Sequence, residues 1–180
     1  MAEMVDIYTR DRQKTGLVVE RGTFLQKDQY RMFVLAMIER PDHTFLITQR
    51  VMTKHWAAGQ FEVSGGGAKS QETSWDAVKR EVKEEVGLDV EKSIPQPGKD
   101  FHKPVYTYFN DDPDRGDNYF VDIYHFHMDI SEKDVTIQPE EVLGFRFAAP
   151  EEIRLMAESD LFLHFKRLNE ALQSEGERIW

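Results

Sequence analysis

Gly66-Gly67-Ala68-Lys69-Ser70-Gln71-Glu72-Thr73-Ser74-Trp75-Asp76-Ala77-Val78-Lys79-Arg80-Glu81-Val82-Lys83-Glu84-Glu85-Val86-Gly87-Leu88 is the stretch from which the fold can be read. A glycine loop opens it, a helix follows, and a glycine closes it. Thr73 suits the N-cap, and Asp76 three residues on lies near the positive end of the helix dipole. Gly87 stands where a helix stops, because glycine takes the left-handed conformation without a Cβ clash. Trp75, Val78, Val82 and Val86 recur at steps of three and four, which makes one apolar stripe for a core.

The acids are out of keeping with helix physics. Glu81, Glu84 and Glu85 stand at i, i+3 and i+4, so their carboxylates share a face beside the apolar stripe. Each like-charge pair at this spacing costs about 0.2–0.5 kcal/mol in an isolated helix. Glu84 and Glu85 also sit in the last turn, where the dipole favours cations. Lys79, Arg80 and Lys83 offer ordinary ion pairs, so the acids by themselves fit a solvated face equally well. If they hold something, an oxygen-only ligand set suits Mg²⁺ or Mn²⁺ far better than zinc.

The full spacing goes further. It runs glycine, five residues, glutamate, seven residues, Arg-Glu-aliphatic, one residue, Glu-Glu, one residue, Gly-aliphatic. Gly66, Glu72, Arg80, Glu81, Val82, Glu84, Glu85, Gly87 and Leu88 fill every slot of this pattern, which is the Nudix box. Seven fixed identities at about 6–7% usage each would coincide on the order of once in 10⁸ starts or fewer. The chain therefore resembles a Nudix hydrolase, and the likeness extends over most of residues 30–150. Ser64, where a proline often stands, and Gln71, where a glycine often stands, are small departures that remove no ionisable group.

Composition sets the class. At 180 residues, 40% hydrophobic and 31% charged, the chain reads as one soluble globular domain with a real core. Without cysteine it has no disulfide framework, thiolate nucleophile or sulfur-ligated zinc. No apolar run is long enough to span a bilayer and the N-terminus lacks a signal-peptide pattern, so a cytoplasmic protein is the simplest reading. A net charge of −10 argues against a nucleic-acid polymer or an anionic membrane as partner. A small phosphorylated nucleotide remains compatible if cations screen the encounter.

Outside the box, residues 1–28 read as an arm, 29–150 as the core and 151–180 as C-terminal helices. Val5–Tyr8 and Gly16–Glu20 flank a polar turn; they predict a hairpin that either adds an edge to the main sheet or packs on a second subunit of a homodimer. Arg31–Glu39 and Thr44–Arg50 predict a central hairpin around Pro41-Asp42-His43. Arg50 ends the second strand, where its guanidinium can meet a phosphate or a neighbouring acid. His55, in the loop Val51–Gly59, is a candidate general acid, and Phe61-Glu62-Val63 is a short strand feeding the glycines. Val105–Phe109 and Tyr119–Met128 read as strands, with His125 and His127 on one face at i, i+2 as a metal pair or half-buried sheet residues. A last strand spans Gly144–Ala148. Helices follow from Pro150 to about Ser159 and from about Asp160 to Leu172.

The Nudix resemblance implies an α/β/α sandwich with a mixed sheet. It implies a metal held by Glu81, Glu84, Glu85 and the Gly66 carbonyl, with Arg80 paired to Glu72 to hold the acids in place. The general base is then a box glutamate (Glu81 or Glu85) or a later-loop glutamate (Glu140 or Glu141). The expected activity is Mg²⁺-dependent hydrolysis of a nucleoside diphosphate linked to another moiety. Pro104 resembles a feature of ADP-ribose pyrophosphatases, and Tyr106 one of dinucleoside-polyphosphate hydrolases. The arm, with Arg21-Gly22, is similar to that of a bacterial subgroup related to isopentenyl-diphosphate isomerases. Those enzymes resemble one another partly through a catalytic cysteine that this chain lacks. Isomerase chemistry and a non-catalytic nucleotide sensor are the alternatives.

Overall fold

The computed structural model describes residues 2–180. Its strands are β1 (Met4–Tyr8), β2 (Lys14–Glu20), β3 (Arg31–Glu39), β4 (Phe45–Arg50), β5 (Phe61–Glu62), β6 (Ser64–Gly67), β7 (Tyr106–Asn110), β8 (Tyr119–His127) and β9 (Val142–Ala148). The helices are α1 (Ser74–Val86), α2 (Pro150–Glu158) and α3 (Phe165–Ser174). The main sheet runs β5-β4-β3-β8-β7, with β6 also paired to β3 and β9 to β4. It is mixed: β3 lies parallel to β8 over its whole length, and its other partners are antiparallel.

β3 and β4 form the antiparallel hairpin expected around the Pro41 turn, but its ladder is short. β3 and β4 meet at one position, Glu39 opposite Phe45, and then diverge. β6 takes over the vacated edge of β3, from Ala36 opposite Ser64 to Phe33 opposite Gly67, while β5 and β9 pair with β4. The glycines that open the box are thus a strand rather than a loop. A strand without side chains fits the narrow end of this fork, where a Cβ on Gly65 would run into the Val34 carbonyl.

Period-two alternation in β3 and β8 serves two layers. Val34, Ala36, Ile38, Phe120, Tyr124 and Phe126 pack with Val78, Val82 and Val86 of α1. Leu35, Met37, Val121 and Ile123 pack with Ile153 of α2 and Leu168 and Leu172 of α3 on the opposite side. This is an α/β/α arrangement. The α1 stripe is fully buried at Val78, Val82 and Val86, worth about 1.5–3 kcal/mol per side chain. A reciprocal cap between Thr73 and Asp76 starts the helix, and Gly87 at φ 75° ends it.

Two expectations shift. The second C-terminal helix starts at Phe165, not near Asp160. Asp160 and His164 take left-handed φ values of 54° and 61°, and Phe61 exchanges backbone hydrogen bonds with Leu161 and Leu163. The Leu161-Phe162 pair that looked like a helical face is instead a short bridge beside β5. The arm does not extend the main sheet either. β1 and β2 form their own two-stranded sheet, joined to β3 by a bridge between Tyr8 and Tyr30.

Asp6 ties this arm to the box. It accepts from Lys14 Nζ at 2.6 Å, Ser70 Oγ at 2.8 Å and the Gln71 backbone N–H at 3.0 Å. Burial pushes its pKa up, but the Lys14, Gln71 and Ser70 donors outweigh burial and hold it below the ordinary value. A depressed carboxyl stabilises the fold fully above its unfolded pKa of about 3.9, and the contribution is lost as pH falls through the folded value. Asp6→Asn should therefore lower the melting temperature near neutral pH and flatten the acid limb below about pH 4. Melts across that range check both effects.

Candidate active site

A cavity of about 590 Å³ opens where β6 meets α1, at the ends of β3, β7 and β8 from which the parallel pair starts. It is lined by Gly65, Gly66, Glu81, Glu84, Glu85 and Arg80 on one side. Phe33, Tyr108 and Tyr119 line another wall, and Arg50, Lys54, Trp56, Glu62, Glu141 and His164 a third.

Arg80 organises the acids. Its Nε donates to Glu72 Oε1 at 2.6 Å and its Nη2 to Glu72 Oε2 at 2.9 Å and to the Gly67 carbonyl at 3.0 Å. Nη1 reaches Glu81 at 2.7 Å and Glu84 at 3.2 Å. Burial lowers the guanidinium pKa, but Glu72 and Glu81 more than reverse this, so it is raised and the group stays charged. Glu72 also accepts from the Lys69 backbone N–H at 2.7 Å. Burial raises its pKa, and Arg80 and that N–H pull it below the usual range. The structure thus brings together the Arg80–Glu72 pair that the box spacing implies.

Glu81 and Glu85 behave differently. Burial pushes the Glu81 carboxyl up, with Arg80 opposing it. Glu85 is pushed to about 8 by burial and by the charges of Glu81 and Glu62, with only the Gly65 N–H, at 3.2 Å, and Ser64 opposing. Among the described residues, no basic side chain forms an ion pair with it. Neighbouring carboxylates that repel one another, Glu81 buried and Glu85 half-buried without a basic partner among the described residues, form a donor set short of positive charge. All-oxygen donors in that condition fit a hard divalent cation. Glu81, Glu84, Glu85 and the Gly66 carbonyl would be the residues to hold it. Gly66 is glycine for reasons of space, because an added Cβ would land on the Glu81 carboxylate.

Other sequence candidates separate here. Arg50 lines the cavity and donates to Glu62 at 2.6 Å and to the Trp56 carbonyl at 3.2 Å. Glu140 is exposed and lies off the cavity wall, whereas Glu141 lines it, paired with Lys54. His55 is exposed and does not line the cavity. His164 does, and burial with Arg50 nearby lowers its pKa to about 4, which leaves it neutral near pH 7. Tyr106 donates to Glu170 at 3.0 Å and Pro104 lines a second cavity; neither lines this one. Sequence reading missed Glu62, His164 and Tyr108. Only Glu62 had a signal, an acid in a short strand beside the glycines.

A carboxylate-rich helix docked beneath a glycine strand of a mixed sheet defines the class. The NUDIX domain family model matches residues 29–167, well over half of the chain, and the chain belongs to the Nudix hydrolase family as a pyrophosphohydrolase. An uncharacterized Nudix hydrolase of Listeria monocytogenes is 27% identical over 166 residues, covering 92% of this chain and 90% of that one. DR0079 of Deinococcus radiodurans superposes with a TM-score of 0.66 at 19% identity, over 88% of this chain and 89% of its own. The bifunctional NMN adenylyltransferase/ADP ribose pyrophosphatase of Francisella tularensis does so with 0.60 at 18%, over 80% of this chain and 41% of that one. Nudix enzymes generally use divalent metals. Among the described residues, no helix is long and apolar enough to cross a membrane.

Arg80→Lys keeps one charge but loses the fork that spans Glu72, Glu81 and Glu84. Divalent-ion affinity, read by Mn²⁺ titration, should fall about 10–100-fold, with secondary structure unchanged by circular dichroism.

Proposed function

We propose that the enzyme hydrolyses the phosphoanhydride bond of a nucleoside diphosphate linked to a second moiety, with Mg²⁺ or Mn²⁺ bound at Glu81, Glu84, Glu85 and the Gly66 carbonyl. The observation that carries this reading is the half-buried Glu85, without a basic partner among the described residues, lining a cavity with one acidic, one aromatic and one mixed-charge wall. The ion, once bound, supplies charge neutralisation at the diphosphate and acidifies a water.

The chain's own groups supply the rest. Phe33 and Tyr119, rings 5.4 Å apart, and Tyr108 offer flat apolar surface suited to a nucleoside. Arg50, Lys54 and Lys69 line the cavity in ion pairs with Glu62, Glu141 and Glu84, and each can exchange a carboxylate for a phosphate oxygen. Water attacks one phosphorus, the bridging P–O bond breaks, and two phosphate monoesters leave. The proton shed by that water goes to a box carboxylate, Glu81 or Glu85, held in place through Arg80 or the Gly65 N–H.

ADP-ribose is one substrate of this class, and the Francisella fold neighbour carries that pyrophosphatase activity in its name. Incubation with ADP-ribose, dinucleoside polyphosphates and nucleotide sugars in Mg²⁺ should release a nucleoside monophosphate and a second phosphate ester from at least one. An allylic isomer from isopentenyl diphosphate, or binding without products, would overturn the proposal. On the cleaved substrate, Glu85→Gln should reduce kcat by about 10²–10⁴-fold while the melting temperature holds or rises, since the variant removes a half-buried acid that its neighbours repel.

A further inference from the structure

At the opposite end of the β3/β8 pair, the face that carries Leu35, Met37, Val121 and Ile123 turns from apolar to ionisable. Glu39 stands opposite His127 in the register, and His125 opposite Met37, one pleat back on the same face. Glu39 and His125 are buried and His127 is half-buried. His125 Nε2 lies 2.9 Å from Glu39 Oε2 and His127 Nδ1 lies 3.6 Å from the same oxygen. One ligand atom from each residue falls within 4.8 Å of the other two. Bonds of about 2.0–2.1 Å in a tetrahedral site need ligand atoms roughly 3.3–3.5 Å apart, so small side-chain rotations suffice.

Three further observations point to a ligand. Glu175 of the α3 terminus lies 2.7 Å from His125 Nδ1, the carboxylate–imidazole pairing that leaves Nε2 to face Glu39. Glu175 is itself held by Lys99 at 3.0 Å, which suits it to orient the ring rather than to coordinate. The His127 ring makes no hydrogen bond to the described residues, since its Nε2 is buried without a partner and its Nδ1 is too far from Glu39. Finally, His125, His127 and Glu175 line a separate cavity of about 220 Å³, with room for a water as fourth ligand.

We propose that Glu39, His125 and His127 form a second divalent-metal site, distinct from the box carboxylates, which takes a nitrogen-preferring ion of the zinc class. Two imidazoles and one carboxylate select against Mg²⁺, which prefers all-oxygen shells. The ion ties the ends of β3 and β8 together and, through Glu175, to α3.

The chelator-stripped full chain is titrated with Zn²⁺ in excess Mg²⁺, with Glu84→Gln/Glu85→Gln as the background that disables the box. One Zn²⁺ equivalent should bind to that background, raise its melting temperature and, as Co²⁺, give the intense visible absorption of a four-coordinate site. His127→Ala added to the background should weaken the ion at least about tenfold and abolish the absorption. His127→Gln replaces it if the alanine variant fails to fold. The alternative is an imidazolium clamp, with a protonated His125 bridging Glu39 and Glu175 and no metal. Zn²⁺ binding that is absent, or indifferent to both His127 variants, overturns the site. Hydrolytic activity plays no part in the readout, so this outcome is independent of the substrate.

Discussion

One guanidinium holds the site in register. Arg80 joins the helix that carries Glu81 and Glu84 to Glu72 in the turn before it and to the Gly67 carbonyl at the edge of the sheet. Removing it would leave the buried Glu81 and the half-buried Glu72 without their cation, an arrangement that costs most where the dielectric is low. Its charge also stops short of Glu85, and on the proposed function that incompleteness is what serves the cation. A cluster neutralised entirely by its own residues would have little affinity for a cation.

The sheet makes the clamp possible through the divergence of β3 and β4. Had they paired throughout, β6 would have no strand to join and Gly66 no reason to lie against Glu81. β3 therefore serves β8 along one edge and β6 along part of the other, while β4 collects β5 and β9. The floor of the cavity comes from the first set and the Arg50–Glu62 rim from the second.

Legibility in the sequence followed the range of the interactions. The α1 cap, its apolar stripe and the Gly87 stop act within a few turns and could be read from spacing, whereas the Arg80–Glu72 pair was implied by the Nudix resemblance. Strands β3, β8 and β9 were legible as runs of strand length rich in apolar and aromatic residues. The rim was not: Phe61 meets Leu161 and Leu163 through a bridge across most of the core, and this carries His164, rather than His55, to the cavity. Glu140 and Glu141 are neighbours in sequence, and only the pairing with Lys54 shows which one faces inward. The His125–His127 spacing was visible, but Glu39, 86 residues away from His125, entered only with the parallel register.

The forked sheet has an evolutionary corollary. The acids hang from one helix and the glycine strand, whereas much of the opposite rim comes from connecting segments around Lys54, Glu141 and His164. Those segments can drift in length and composition without straining the carboxylate cluster. One lineage can thus keep a single hydrolytic engine while retuning which leaving group it admits.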